Sequence, residues 1–131
     1  MNYQGVIIEE SLDNKEVLSN VKIIKTKVSH VTEKHRTPWI KQWTMHTVEI
    51  SEQDTEKIAD QLSKDLDKEH VWYADFKNEN YHFIIYRGKV FKVDLKNPTL
   101  YKDAKKYGIS LGIPEYQVDF APEDKIFESK A

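Results

Sequence analysis

The chain has no cysteine. That absence excludes disulfides, thiol nucleophiles and cysteine-held zinc or iron–sulfur centres, and it fits a reducing compartment. The four glycines are scattered at Gly5, Gly88, Gly108 and Gly112. Neither G-x-G-x-x-G nor G-x-x-x-x-G-K occurs, which removes the common phosphate cradles of nucleotide enzymes. No run of about 18 apolar residues is present, and no basic segment followed by an apolar one opens the chain. A cytoplasmic protein with no membrane partner is the expectation. An excess of one charge is lacking too. With 20 Lys and Arg against 22 Asp and Glu, the net charge is −2. No overall field therefore draws the chain to nucleic acid or anionic lipid, and only local patches remain.

What is present suits one globular domain. The chain has 131 residues, and seven Tyr, five Phe and three Trp carry much of its 39% hydrophobic content. A chain of this size buries a core without staples. The expected domain spans 1–120, and the polar stretch 121–131 reads as a loosely ordered tail.

Residues 3–10 (YQGVIIEE) have a β-branched centre and end in charges, the pattern of a first strand. Residues 11–20 are polar, with room for one helical turn. Residues 21–32 (VKIIKTKVSHVT) read as a second strand that leaves the core partway along. Strict alternation sets Lys22, Ile24, Thr26, Val28 and His30 on one side, and Val21, Ile23, Lys25, Lys27 and Ser29 on the other. A loop at 33–38 leads to a long third strand at 39–50 (WIKQWTMHTVEI). Ser51, with Asp54 three residues on and Glu52 in the first turn, predicts a helix running to Asp67. Its apolar stripe is narrow, formed by Ile58, Ala59, Leu62 and Leu66. Three strands follow in WYADFK, YHFIIYR and VFKVD. Asn97 and Pro98 then open a second helix that Gly108 ends. Residues 109–120 read as extended chain along the body. The order is βββαβββα: an α+β fold with a mostly antiparallel, curved sheet of about six strands and two helices on one side.

Pairing choices in the last three strands sort their side chains. A two-residue turn at Gly88 and Lys89 sets Tyr86 opposite Phe91 and Ile84 opposite Val93. A turn at Arg87 and Gly88 sets Tyr86 opposite Lys89 and Phe83 opposite Lys92, which segregates less well, so the first is expected. A turn at Asn78 and Glu79 sets Phe76 opposite Tyr81, Ala74 opposite Phe83 and Asp75 opposite His82. One face then carries Tyr73, Asp75, His82, Ile84, Tyr86, Phe91 and Val93. The other carries Trp72, Ala74, Phe76, Tyr81, Phe83 and Ile85. If both helices lie on one side, the second face needs a wrapped sheet, a ligand or a partner chain.

Asp75 beside His82 suggests an imidazole oriented as a general base, with Tyr73 or Tyr86 near the reacting group. No serine or cysteine nucleophile and no glycine-rich oxyanion turn accompany them, so a satisfied hydrogen-bonded pair is the simpler reading. Tyr73, Tyr86, Phe91 and Trp43 are the candidate ligand contacts. His30 and His46, on neighbouring strands, are candidates to approach His82, with Asp75 or Glu49 as an oxygen ligand. Their spacing matches no compact motif, and no metal or cofactor is expected. Lys34, His35, Arg36 and Lys41, near Trp39 and Trp43, combine cations with stacking rings as single-stranded nucleic-acid sites do. Glu33 and the overall acidic balance argue against that partner.

The segment Trp72-Tyr73-Ala74-Asp75-Phe76, a short turn and the hairpin strand Lys89-Val90-Phe91-Lys92, following an acidic amphipathic helix, resembles small prokaryotic proteins to which no activity is attached. The resemblance covers about 48–94 and implies a stand-alone cytoplasmic domain. Three readings follow. The first is a non-catalytic binding module that takes a partner protein or small ligand on the aromatic sheet face, as a homodimer. The alternative is a small enzyme using Asp75 and His82 as an acid–base pair. The third is a binder of single-stranded nucleic acid through the loop at 34–43, with His35, Arg36 and Lys41.

Overall fold

A computed structural model describes residues 1–32 and 39–118. Six strands, β1 (Tyr3–Ile8), β2 (Lys22–His30), β3 (Gln42–Ile50), β4 (Tyr73–Lys77), β5 (Tyr81–Tyr86) and β6 (Lys89–Asp94), form one open antiparallel sheet in the order β2-β3-β1-β4-β5-β6. Helix α1 (Thr55–Asp65) joins β3 to β4, and α2 (Leu100–Ser110) follows β6. The α+β class and the βββαβββα order are as expected. The expected tail at 121–131 lies outside the described residues. Among the described residues no helix is long and apolar enough to cross a membrane.

The two helices cover opposite faces, not one. Ile58, Ala59, Leu62 and Leu66 of α1 and its cap join Ala74, Phe76, Phe83 and Ile85 in one core. Tyr101 and Ala104 of α2 join Ile84, Tyr86, Phe91 and Val93 in the other. The aromatic face that called for a ligand or a second copy is thus roofed by α2. The two strand faces themselves are divided as alternation predicts.

Both turns differ from expectation by one residue, so each register moves by two. Tyr86 pairs with Lys89, Ile84 with Phe91 and Phe83 with Lys92, the arrangement that segregates less well. Contacts with α1 decide it. Gly88 N–H donates to the Ser63 carbonyl at 2.9 Å. The Arg87 guanidinium donates to the carbonyls of Lys64 and Leu66 at 2.7 and 2.6 Å. These are carbonyls that a helix end leaves unpaired. Gly88 has φ +76, a conformation that favours glycine. In the other hairpin, Phe76 pairs with Phe83 and Lys77 with His82. The Asn78 side chain accepts from the backbone N–H groups of Asn80 and Tyr81 at 2.8 and 2.9 Å, which sets the turn at Glu79 and Asn80.

Helix boundaries also move: α1 ends at Asp65, and α2 opens at Leu100 with Thr99, not Asn97, at its N-cap. The Ser51 hydroxyl donates to Asp54 at 2.9 Å, which closes a turn ahead of α1 and does not cap the helix itself. Gly108 lies inside α2, where a Cβ would come within 2.6 Å of the Tyr86 hydroxyl and 2.7 Å of Val118 Cγ1. It is there for close packing, and the chain turns after Ser110 through Gly112, at φ +96.

Nearly all of β2 is exposed along its length. A one-residue shift in its pairing with β3, between Ile23 and Lys25, marks a bulge at Ile24. The bulge re-sorts the strand. Ile23 now shares a side with Thr26, Val28 and His30.

Candidate functional site

The residues singled out as acid and base do meet. With the register moved by two, Asp75 and His82 are diagonal neighbours on one face, and His82 Nε2 lies 2.8 Å from Asp75 Oδ2. His82 Nδ1 lies 2.7 Å from the Tyr101 hydroxyl of α2. A carboxylate only accepts, so the ring donates from Nε2 to Asp75 and accepts at Nδ1 from Tyr101. Burial holds the imidazole neutral, its pKa lowered to about 3, with the charge of Lys77 adding to the effect. Both Asp75 and His82 are 0% exposed. The arrangement ties the sheet to α2 and offers no open side to a substrate, so no acid–base role follows from it.

The four expected ligand contacts are distributed differently. Tyr86 is fully buried and donates to the Ala104 carbonyl at 2.8 Å. Tyr73 donates to the Gln117 carbonyl. Burial raises both phenols above their ordinary range. Trp43 is buried against Trp72 near the other end of the sheet. Phe91 lines an open groove.

That groove runs between β6 and α2 and has a volume of about 630 Å³. Lys89, Val90, Phe91 and Lys92 line it in unbroken succession, which means that the strand edge itself forms one wall. Leu100, Asp103, Lys106, Tyr107 and Ser110 form the other wall, one stripe along α2. The two-residue turn makes Tyr86 and Lys89 the hydrogen-bonded pair, and bonded pairs alternate from there. The backbone groups of Val90 and Lys92 therefore face outward from the sheet edge.

The histidines do not converge. By register His46 and His30 lie on the sheet face opposite Asp75 and His82. His46 bonds Glu9 at 2.9 Å and Thr26 at 2.8 Å. The His46 bond lowers the Glu9 carboxyl below its usual range; burial opposes it and the charge of Lys15 adds to it. Among the described residues no three His, Asp or Glu side chains are grouped to hold a metal ion.

His35 and Arg36 lie outside the described residues; Lys41 is exposed at the foot of β3. Close by is a cluster that sequence reasoning missed. The rings of Trp39 and His70 stack at 3.7 Å between centroids and 12° between planes. Trp39 also meets Trp72 edge-on at 6.1 Å. His70 donates from Nδ1 to Asp67 at 2.7 Å. Burial acts to raise the Asp67 carboxyl, but the Glu69 backbone N–H, His70 and the Trp72 indole outweigh it and hold it below the usual range. The available signal was the D-x-x-H spacing directly after α1, which a turn brings onto one side. No family model, no curated protein and no solved structure matches the chain.

Proposed function

We propose that this protein is a non-catalytic binding module and that it takes an extended, acidic segment of a partner protein in the groove between β6 and α2. The observation that carries this reading is the composition of the groove: a strand edge unpaired among the described residues on one wall and a helix stripe on the other. A peptide strand that adds to such an edge gains main-chain hydrogen bonds from Val90 and Lys92 and side-chain contacts from the helix. The dimensions agree. The helix stripe is about 15 Å long and the strand wall about 13 Å, room for four or five extended residues. Lys89 and Lys106 against Asp103 favour carboxylates, while the Lys92 ammonium is turned to Glu56 on the α1 side.

The same lysines discourage a second copy, because edge-to-edge pairing of identical strands brings like charges together. With its aromatic face roofed by α2, the expected homodimer loses its first ground. The enzyme reading loses its own through the burial of Asp75 and His82.

The test is a fluorescein-labelled hexapeptide alternating glutamate and valine, titrated against the full chain. Saturable binding is expected, with loss on Val90→Pro, which removes an outward N–H and leaves the in-sheet bonds intact. The matching lysine–valine peptide is expected not to bind. A folded Val90→Pro protein that binds as the parent does overturns the reading. So does a dimer, by sedimentation, that this substitution dissociates.

A further inference from the structure

A different surface carries a second binding property, independent of the groove. We infer that the β2–β3 arm binds single-stranded nucleic acid, with a row of lysines on the phosphates and the Trp39–His70 stack as a platform for a base.

Charge is distributed unevenly along the chain. Residues 21–50 hold six Lys and Arg against two Glu, so the acidic balance of the whole resides elsewhere. Strict alternation would divide the lysines of β2, with Lys22 on one face and Lys25 and Lys27 on the other. The bulge at Ile24 prevents this. Lys22 pairs opposite Glu49, Lys25 opposite Thr47 and Lys27 opposite Met45. Those three β3 positions alternate along one face, so all three lysines share it. Lys25 and Lys27 are then about 7 Å apart, each able to meet a separate anionic group. All three are exposed, and the main helix contacts lie elsewhere, α1 on β5 and β6 and α2 on β6.

The row leads to rings. Ser29 pairs opposite Trp43 at the end of the strand, Trp43 packs on Trp72 at 5.6 Å, and Trp72 meets Trp39. Trp39 is 42% exposed although one of its faces is stacked on His70. The Asp67 contact fixes the His70 ring, so the platform is held in place before any ligand arrives. Single strands offer unstacked bases to such a surface, whereas a duplex keeps them inside. An acidic protein strand would meet the lysines and leave the stacked rings unused.

The experiment uses the full chain and a fluorescein-labelled oligothymidine of about twelve nucleotides, followed by anisotropy across a salt series. Three phosphate contacts predict a log–log salt slope of about −2. Lys22→Gln, Lys25→Gln and Lys27→Gln each lower its magnitude by about 0.7, by the same principle. Trp39→Ala weakens binding and leaves the slope unchanged, and Trp39→Phe restores part of the loss. The inference is overturned if no binding is seen at low salt. It is overturned equally if a duplex binds as tightly and Trp39→Ala has no effect, which indicates plain polyanion attraction. A Lys22→Gln protein with the parent's slope, beside altered Lys25→Gln and Lys27→Gln, shows that the bulge does not gather the row.

Discussion

Two parts of one sheet have been put to opposite uses. Strands β4 to β6 lie between α1 on one face and α2 on the other, and their polar side chains Asp75 and His82 are bonded to each other and to Tyr101 in complete burial. Strand β2, in the same sheet, is exposed on both faces, and Ile23, Ile24 and Val28 stand in solvent beside its lysines. The comparison shows what a polar residue in a strand signifies. Under a helix it must find partners and becomes part of the architecture. On an uncovered edge it remains available. The pair most like a catalytic dyad is bonded into the core, and the exposed strand is the one proposed as a contact surface.

Four substitutions or conditions sharpen that contrast. The largest effect is expected at the joint between the parts, where β1 pairs with both β3 and β4. A Cβ on Gly5 would lie 2.0 Å from the Asp75 carbonyl oxygen and 2.5 Å from Phe76 Cα. Backbone cannot retreat as a side chain can, so Gly5→Ala should cost more than about 4 kcal/mol in urea unfolding. Unaltered stability would mean that β1 and β4 are not so closely apposed.

Next comes acid. Below about pH 6.5 the unfolded chain protonates this histidine while the folded one, with His82 lowered to about 3, does not. Its contribution is complete above the unfolded value and is lost as pH falls from about 6.5 toward 3. Between pH 7 and pH 5 that amounts to about 2 kcal/mol. His82→Gln should flatten this part of the pH–stability curve. A curve of unchanged slope would show that the imidazole charges in the fold.

A comparable effect is expected when Tyr101→Phe removes the donor to His82 Nδ1, a loss of about 1–3 kcal/mol for a buried acceptor. The smallest belongs to the arm. Val28 is 53% exposed, and Val28→Thr should alter stability by less than about 0.5 kcal/mol. A larger loss would reveal that β2 packs on something after all.

How far the sequence could be read follows from the same physics. Alternation has a period of two residues, so it reported the two faces of β4, β5 and β6 correctly even though both turns were misplaced. A slip of two residues leaves every side chain on its own face and changes only its partner. That is why Asp75 and His82 still meet, as diagonal neighbours. The apolar stripe of α1 was legible for a like reason, since Ile58, Ala59 and Leu62 recur at helical spacing. Gly108 was legible only as a helix breaker, because the Tyr86 hydroxyl that requires the missing Cβ belongs to another strand.

By itself, then, the sequence determined the order of elements, the α+β class and the division of the central strands into two faces, all of which rest on short-range periodicity. The tertiary structure decided the rest. It chose the turns through Arg87 and Gly88 on the carbonyls of α1 and through the Asn78 side chain, and it sent the second helix to the face that would otherwise stand open. It also gathered Lys22 with Lys25 and Lys27 across a bulge and stacked His70 on Trp39. Each of these depends on a contact between residues far apart along the chain, or on a one-residue irregularity, and neither leaves a period to be read.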